Sequence, residues 1–218
     1  MVLPTDFEIY TRQLMGESLY AQFADVVVLA RELNISQVTE IYRGIQDEHI
    51  CGPSGQLVRI EMFCHGALCM AISGKCYLSL QNTNHSANRG ECAQFCRMKF
   101  DLIDADGKEI EHQRHLLSLK DMCQIDAIEQ LADAGACSFK IEGRLKDADY
   151  VKNVVSAYSQ QIDRLVSKRP NDYCRASKGQ VTYHFEPNLR KTFNRGYTHY
   201  FLNGRQADIA SFDTPKAM

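Results

Sequence analysis

A partial parallel α/β barrel is the fold this sequence predicts, on three features. The run Ala24 to Ala30 is short, β-branched and apolar, the character of strands covered on both faces of a parallel sheet. A helical apolar period follows it, and then a second strand-like run. The same order returns further along, where Cys137 to Glu142 precedes a long amphipathic stretch.

In the first unit Val38, Ile41, Tyr42 and Ile45 recur at helical spacing, and Asn34 or Ser36 is placed to cap the first turn. Gly52-Pro53-Ser54-Gly55 ends that helix, and Leu57 to Phe63 reads as the next strand. Met98 to Asp104 and Ile110 to Leu117 flank Asp106-Gly107, a dipeptide suited to a tight turn with positive φ, so a β-hairpin is predicted. A helix is expected from about Leu119, with Ile125, Ile128, Leu131 and Ala132 on one face and Gly135 as its stop. Beyond the strand Cys137 to Glu142, Asp147 caps a helix with a stripe of Tyr150, Val151, Val154, Val155, Tyr158 and Ile162.

A linker is expected over 167–178, followed by a β-like stretch from Gln180 to Phe185. The organisation is then a partial barrel domain over 1–166, with a cysteine segment at 64–97, and the start of a smaller β-rich region over 179–218. Only about three parallel strands are visible, too few to close a barrel, so a fragment or a shortened homologue is expected.

The chain has 218 residues, 44% hydrophobic and 24% charged, enough for one globular domain or for one and part of another. Its formal net charge of −2 supplies no global attraction to polyanions, which argues against a protein that coats DNA. No apolar run reaches the roughly 18 residues of a membrane span, and the first 25 residues lack the apolar block of a signal peptide; a soluble cytoplasmic protein is expected. Nine cysteines, an odd number without an export signal, favour metal ligation or free thiols over a disulfide framework.

Four of these cysteines form the strongest constellation. Cys69, Cys76, Cys92 and Cys96 lie in a stretch rich in Ser, Asn and Gly that has no sustained apolar period, so something other than apolar packing must order it. Four thiolates on one centre would do so, and both zinc and an iron–sulfur cluster accept four cysteines. The C-x2-C knuckle common in zinc ribbons is absent, which favours a [4Fe–4S] cluster and leaves zinc as the alternative. A buried residue or a free thiol is the plain reading for Cys51, Cys64, Cys123, Cys137 and Cys174, with Cys64 the nearest rival ligand.

Lys140, Glu142 and Arg144 alternate at the end of a predicted strand, where parallel α/β sheets present ligand-binding groups. They are candidates for an anionic small molecule or an RNA phosphate, with an ion-paired strand end as the alternative. Arg31, beside Glu32 at the end of the other strand, has the same two readings, and His65 is a further candidate. Phe193, Arg195 and Tyr197 belong to a stretch that interleaves aromatic and basic groups, the mixture needed to stack on bases and contact phosphates. Neither an H-E-x-x-H motif nor a G-x-S-x-G elbow is present, so proteolysis has no visible apparatus.

Glu61 to Cys69, Ser73 to Ser79, Ser86 to Arg97, Ser118 to Asp121 and Phe139 to Arg144 together closely resemble the signature of the peptidase U32 family. Lys191 to Gly196 and Phe212 to Lys216 extend the resemblance from about Val26 to the C-terminus. It implies a TIM-barrel-like domain with an inserted cysteine segment, and Cys69, Cys76, Cys92 and Cys96 fall on the family's cysteine positions, whereas Cys64 departs from its usual aliphatic residue. The implied activity is RNA hydroxylation, forming 5-hydroxycytidine in 23S rRNA, with an iron–sulfur cluster and prephenate as co-substrate. In that setting Lys140 and Arg144 would hold the carboxylated donor. A collagenase-like peptidase, the family's historical label, and a non-catalytic iron–sulfur scaffold subunit are the alternatives.

Overall fold

Residues 2–4, 21–73, 75–143, 146–179 and 181–213 are described by the computed structural model of the chain. Strands β1 (Val2–Pro4), β2 (Val26–Val28) and β3 (Arg59–Ala67) pair in parallel, with helix α1 (Ile35–Asp47) between β2 and β3. Asn34 caps α1: its side chain accepts from Gln37 N while the Gln37 side chain accepts from Asn34 N, a reciprocal capping box. The helix buries Val38, Ile41 and Ile45 against β2 and β3.

Nine residues long, β3 is the spine of the sheet. Strand β7 (Ala136–Ile141) runs parallel along one edge of it. The other edge is shared: β2 takes Arg59 to Glu61, and β6 (Asp121–Cys123) pairs antiparallel with His65 to Ala67. Strand β8 (Tyr197–Thr198) then pairs in parallel with β6. The result is a mixed six-stranded sheet with a mainly parallel core.

Helices cover one face of this sheet. Short α3 (Ile128–Asp133) and long α4 (Ala148–Lys168) pack there, α4 over Cys64 and Ile128 through Tyr150, Val154, Tyr158 and Leu165. Asp147 caps α4, its carboxylate accepting from Tyr150 N at 2.7 Å. The expected stripe is narrower than predicted, because Val151 and Val155 turn outward.

Two further expectations need correction. The helix placed from about Leu119 begins only at Ile125, as a 3-10 turn leading into α3, because residues 121–123 are drawn into the sheet as β6. All three β6 residues are buried, and its edges pair with β3 and β8, so tertiary pairing overrides the local helical pattern. Residues 181–185 form no strand, and Gln180 lies outside the described residues. The hairpin is present as β4 (Phe100–Ile103) and β5 (Glu109–Arg114), a separate two-stranded sheet. Gly107 has φ +80° at its turn, and Asp104 Oδ1 accepts from Asp106 N and Lys108 N.

The segment after α4 packs back on it rather than hanging free. Arg169 pairs with Asp133 and Asp172, Arg175 pairs with Asp163, and Tyr173 packs on the α4 core. Among the described residues no helix is long and apolar enough to cross a membrane.

One glycine fixes the end of β3. Gly66 has φ +111°, and a Cβ there would stand 2.4 Å from the Glu142 carbonyl oxygen, a backbone atom that cannot move aside alone. Gly66→Ala is therefore expected to cost about 2–4 kcal/mol, read as a lower urea midpoint at unchanged slope.

Candidate metal centre

After Ala67 the chain leaves the sheet through buried Leu68 and reaches Cys69, while Cys76 precedes the short helix α2 (Leu78–Thr83) and Cys96 sits in a 3-10 turn at Phe95–Arg97. Polar anchors order this segment. The Glu32 carboxylate accepts from Ser73 N at 2.9 Å and from Ser73 Oγ, and Ser79 Oγ accepts from Ala93 N at 3.0 Å. Arg97 is the main tether: its buried guanidinium donates to the Leu68 carbonyl, to Ser118 Oγ at 2.9 Å and to the Leu119 carbonyl at 2.9 Å. His115 Nδ1 donates to the Arg97 carbonyl at 2.9 Å. Cys96 is thereby pinned beside the exit of β3.

The four predicted thiols share one electrostatic neighbourhood. Burial pushes the Cys69 thiol pKa up, with Cys76 and Cys92 adding to the rise and Arg31 opposing it. Burial likewise raises that of Cys96; Arg97 opposes the rise, while Cys69, Cys92 and Cys76 add to it. All nine cysteines are free thiols. Among the described residues no three His, Cys, Asp or Glu side chains close to the spacing that holds a single metal ion.

Cys64 lies elsewhere. It is fully buried under α4, its Sγ donates to the Lys140 carbonyl at 3.4 Å, and burial strongly raises its pKa. Nothing in its position makes it a fifth ligand.

The sheet face opposite the helices carries half-buried polar and aromatic groups. Ser138 Oγ donates to the Glu61 carboxylate at 2.6 Å. Further along, Arg31 stacks on Phe63 at 4.3 Å from the ring centroid, and Lys140 Nζ lies 5.1 Å from the same centroid. Arg31 also donates to the Ala67 carbonyl at 3.1 Å, and its charge reaches Cys69. The structure thus brings Arg31 and Lys140 together at the carboxyl ends of β2, β3 and β7, beside the cysteine segment. Glu142 N donates to the His65 carbonyl at 2.8 Å, while Arg144 lies outside the described residues.

His65 is only 1% exposed. A register shift between Phe63 and His65 places it and Cys64 inside in succession, as a bulge does. Its ring packs among Tyr150, Tyr158 and Tyr197, at 6.1, 5.5 and 5.5 Å between centroids. Tyr158 Oη donates to the Cys64 carbonyl at 2.7 Å and accepts from Gln124 N at 3.1 Å. With its single hydrogen spent, Tyr158 Oη can only accept from His65 Nδ1, 3.3 Å away, which assigns the Nδ1–H tautomer.

The predicted nucleic-acid trio folds inward in part. Phe193 is exposed, but Arg195 is buried and donates from Nη1 to Asp121 at 3.1 Å, and Tyr197 Oη donates to the Leu189 carbonyl at 2.7 Å. Sequence reading missed Asp121, Lys146 and Tyr158 as polar members of this interior. Their only signal was a charged or hydroxylated residue within an apolar pattern. A cleft of about 710 Å³ lies at the opposite end of β3 and β7, bordered by Arg59, Ala136, Cys137 and Cys174, away from the four thiols.

Burial, aided by the Lys146 charge, holds the His65 imidazole pKa at about 4, below its ordinary 6.5. The unfolded chain therefore takes up a proton near pH 6.5 that the folded chain refuses until about pH 4. The stability tied to neutral His65 is present above pH 6.5 and lost as pH falls from 6.5 to about 4, by roughly 3 kcal/mol. Urea midpoints across that window should fall more steeply for the wild type than for His65→Gln.

Residues 15–211 match the sequence model described as Peptidase family U32. The chain is 46% identical over 190 residues to the 23S rRNA 5-hydroxycytidine C2501 synthase of Escherichia coli strain K12, covering 87% of the chain and 27% of that protein. It is also 46% identical over 190 residues to a collagenase of Porphyromonas gingivalis strain W83, covering 85% of the chain and 44% of the relative. Identity to the tRNA hydroxylation protein P1 of Bacillus subtilis strain 168 is 38% over 145 residues, covering 64% of the chain and 32% of that protein. The chain thus spans under half the length of each of these relatives. No solved structure matches it.

Proposed function

Because this chain belongs to peptidase family U32, we propose that it is the part of an RNA hydroxylase that carries the redox centre, acting to form 5-hydroxycytidine in 23S rRNA. The single observation that carries this reading is the likeness to the rRNA synthase, which extends over most of the chain. The tRNA hydroxylation relative supports RNA as the substrate class.

Cys69, Cys76, Cys92 and Cys96 are the residues that would hold a [4Fe–4S] cluster, and the fit rests on the donor set and its surroundings. Free soft thiols share one neighbourhood, and the cationic side chains of Arg31 and Arg97 lie close enough to offset thiolate charge. Zinc is the alternative occupant. When bound, the cluster would supply one-electron chemistry.

The chain's own residues provide positioning. Arg97 anchors the cysteine segment to the sheet, and Arg31 and Lys140 offer positive charge on the Phe63 ring for the carboxylated co-substrate, prephenate. The sheet is read as a segment of a TIM-barrel-like domain, supported by its parallel β1–β2–β3–β7 core and by the greater length of the relatives. A cytoplasmic setting follows from an RNA substrate.

The test is anaerobic purification with an absorption spectrum and iron and zinc counts, joined to nucleoside analysis of rRNA from a strain that lacks its own synthase and expresses this chain. About four irons per chain and restored 5-hydroxycytidine are expected. Zinc without iron, or no modified nucleoside, overturns the reading. Peptide cleavage is the second reading, on the likeness to the collagenase; it expects peptide hydrolysis that survives Cys69→Ser.

A further inference from the structure

Positive charge is buried beside the cysteine segment with too few partners. Arg195, 4% exposed, directs Nη1 at Asp121 Oδ1, and its backbone N donates to Asp121 Oδ2 at 3.3 Å. Both carboxylate oxygens are thus engaged by one residue. Lys146 Nζ is also buried and has no hydrogen-bond partner among the described residues, and the same holds for Arg195 Nε and His65 Nε2.

Shared aromatic rings link these three groups. Lys146 Nζ lies 4.1 Å from the Phe193 centroid and 5.3 Å from that of Tyr150, and the Arg195 guanidinium carbon lies 5.0 Å from the Phe193 centroid. Tyr150 in turn packs on His65. Aromatic faces offset part of a cation's desolvation, but a buried ammonium normally gains an anionic partner as well. His65 presents the opposite chemistry: with Nδ1 carrying the hydrogen, its Nε2 is a bare acceptor.

We infer that Lys146, Arg195 and His65 form a binding pocket for a small hydroxylated carboxylate, its carboxylate taken by Lys146 Nζ and Arg195 Nε and its hydroxyl donating to His65 Nε2. Burial selects a small molecule over a nucleic-acid backbone, which needs an open groove, since all three atoms are closed to solvent. The ring walls of Phe193, Tyr150 and Tyr197 set the apolar boundary. The pocket shares no residue with the Arg31–Phe63–Lys140 group, and it stands whether or not the chain hydroxylates RNA.

The experiment is calorimetric titration of the intact chain with tartronate, malonate and inorganic phosphate, with folding checked by circular dichroism. Tartronate should bind saturably, about tenfold more tightly than malonate, which lacks the hydroxyl, and more tightly than phosphate. Lys146→Met should weaken tartronate binding by about tenfold or more while raising the melting temperature of the ligand-free chain, because an unpartnered buried cation is removed. Arg195→Lys, which keeps a cation for Asp121 but loses Nε, gives an independent variant with the same expected loss. In the wild type, the ¹⁵N resonance of His65 Nε2 should move on titration with tartronate, a readout that needs no variant to fold. No saturable tartronate binding, equal or tighter phosphate binding, unchanged affinity in Lys146→Met, or an unmoved His65 resonance at saturation would each overturn the inference.

Discussion

Cys96→Ser is expected to lower the iron content of the anaerobically purified chain from about four to below about one per chain and to abolish 5-hydroxycytidine formation. A serine hydroxyl is a harder and far weaker ligand than a thiolate, so the cluster would lose one corner. Cys96 is the most informative of the four because Arg97, next to it, is fixed by three hydrogen bonds to Leu68, Ser118 and Leu119. That tether leaves the backbone little freedom to bring another donor into place. Cys51→Ser and Cys137→Ser, at thiols outside the segment, should keep both iron and product. Loss of iron in those controls to the same degree, or full iron in Cys96→Ser, would remove the four-cysteine assignment.

Asp121→Ala is expected to destabilise the chain by about 3–5 kcal/mol, the largest single-site effect on folding. The Asp121 and Arg195 side chains are 2% and 3% exposed, and Asp121 accepts from both the guanidinium and the backbone N of Arg195. Removing the carboxylate strands Arg195 in a dry interior that already contains Lys146. Replacing the pair together, Asp121→Leu with Arg195→Met, should recover most of the loss, since neither charge is then left alone. Urea unfolding of the single and double variants reads both quantities; a single-variant cost near zero would mean that the pair is not desolvated.

Local signals in the sequence proved legible. The caps Asn34 and Asp147 and the Asp106-Gly107 turn act within a few residues of themselves, and each stands where its chemistry placed it. The four cysteines drew notice because a stretch without apolar period needs another source of order, and in the fold their thiols influence one another electrostatically. Strand β6 was not legible. Its pairing partners, His65 to Ala67 and Tyr197 to Thr198, lie far along the chain, and the apolar residues that follow it do have helical spacing. Arg195 was misleading in a similar way: a basic residue among aromatics looks exposed until Asp121 is brought beside it.

By itself, then, the sequence determined the family, the α/β character and the helix caps, because each is written in residue types at short or fixed spacing. Tertiary structure alone decided that β6 joins the sheet, that Arg31 and Lys140 share the Phe63 ring, and that Lys146 Nζ, Arg195 Nε and His65 Nε2 are buried without a hydrogen-bond partner among the described residues. The physical reason is range: capping, turn formation and ligand type depend on neighbours in the chain, whereas desolvation and charge pairing depend on what folding brings close from anywhere along it.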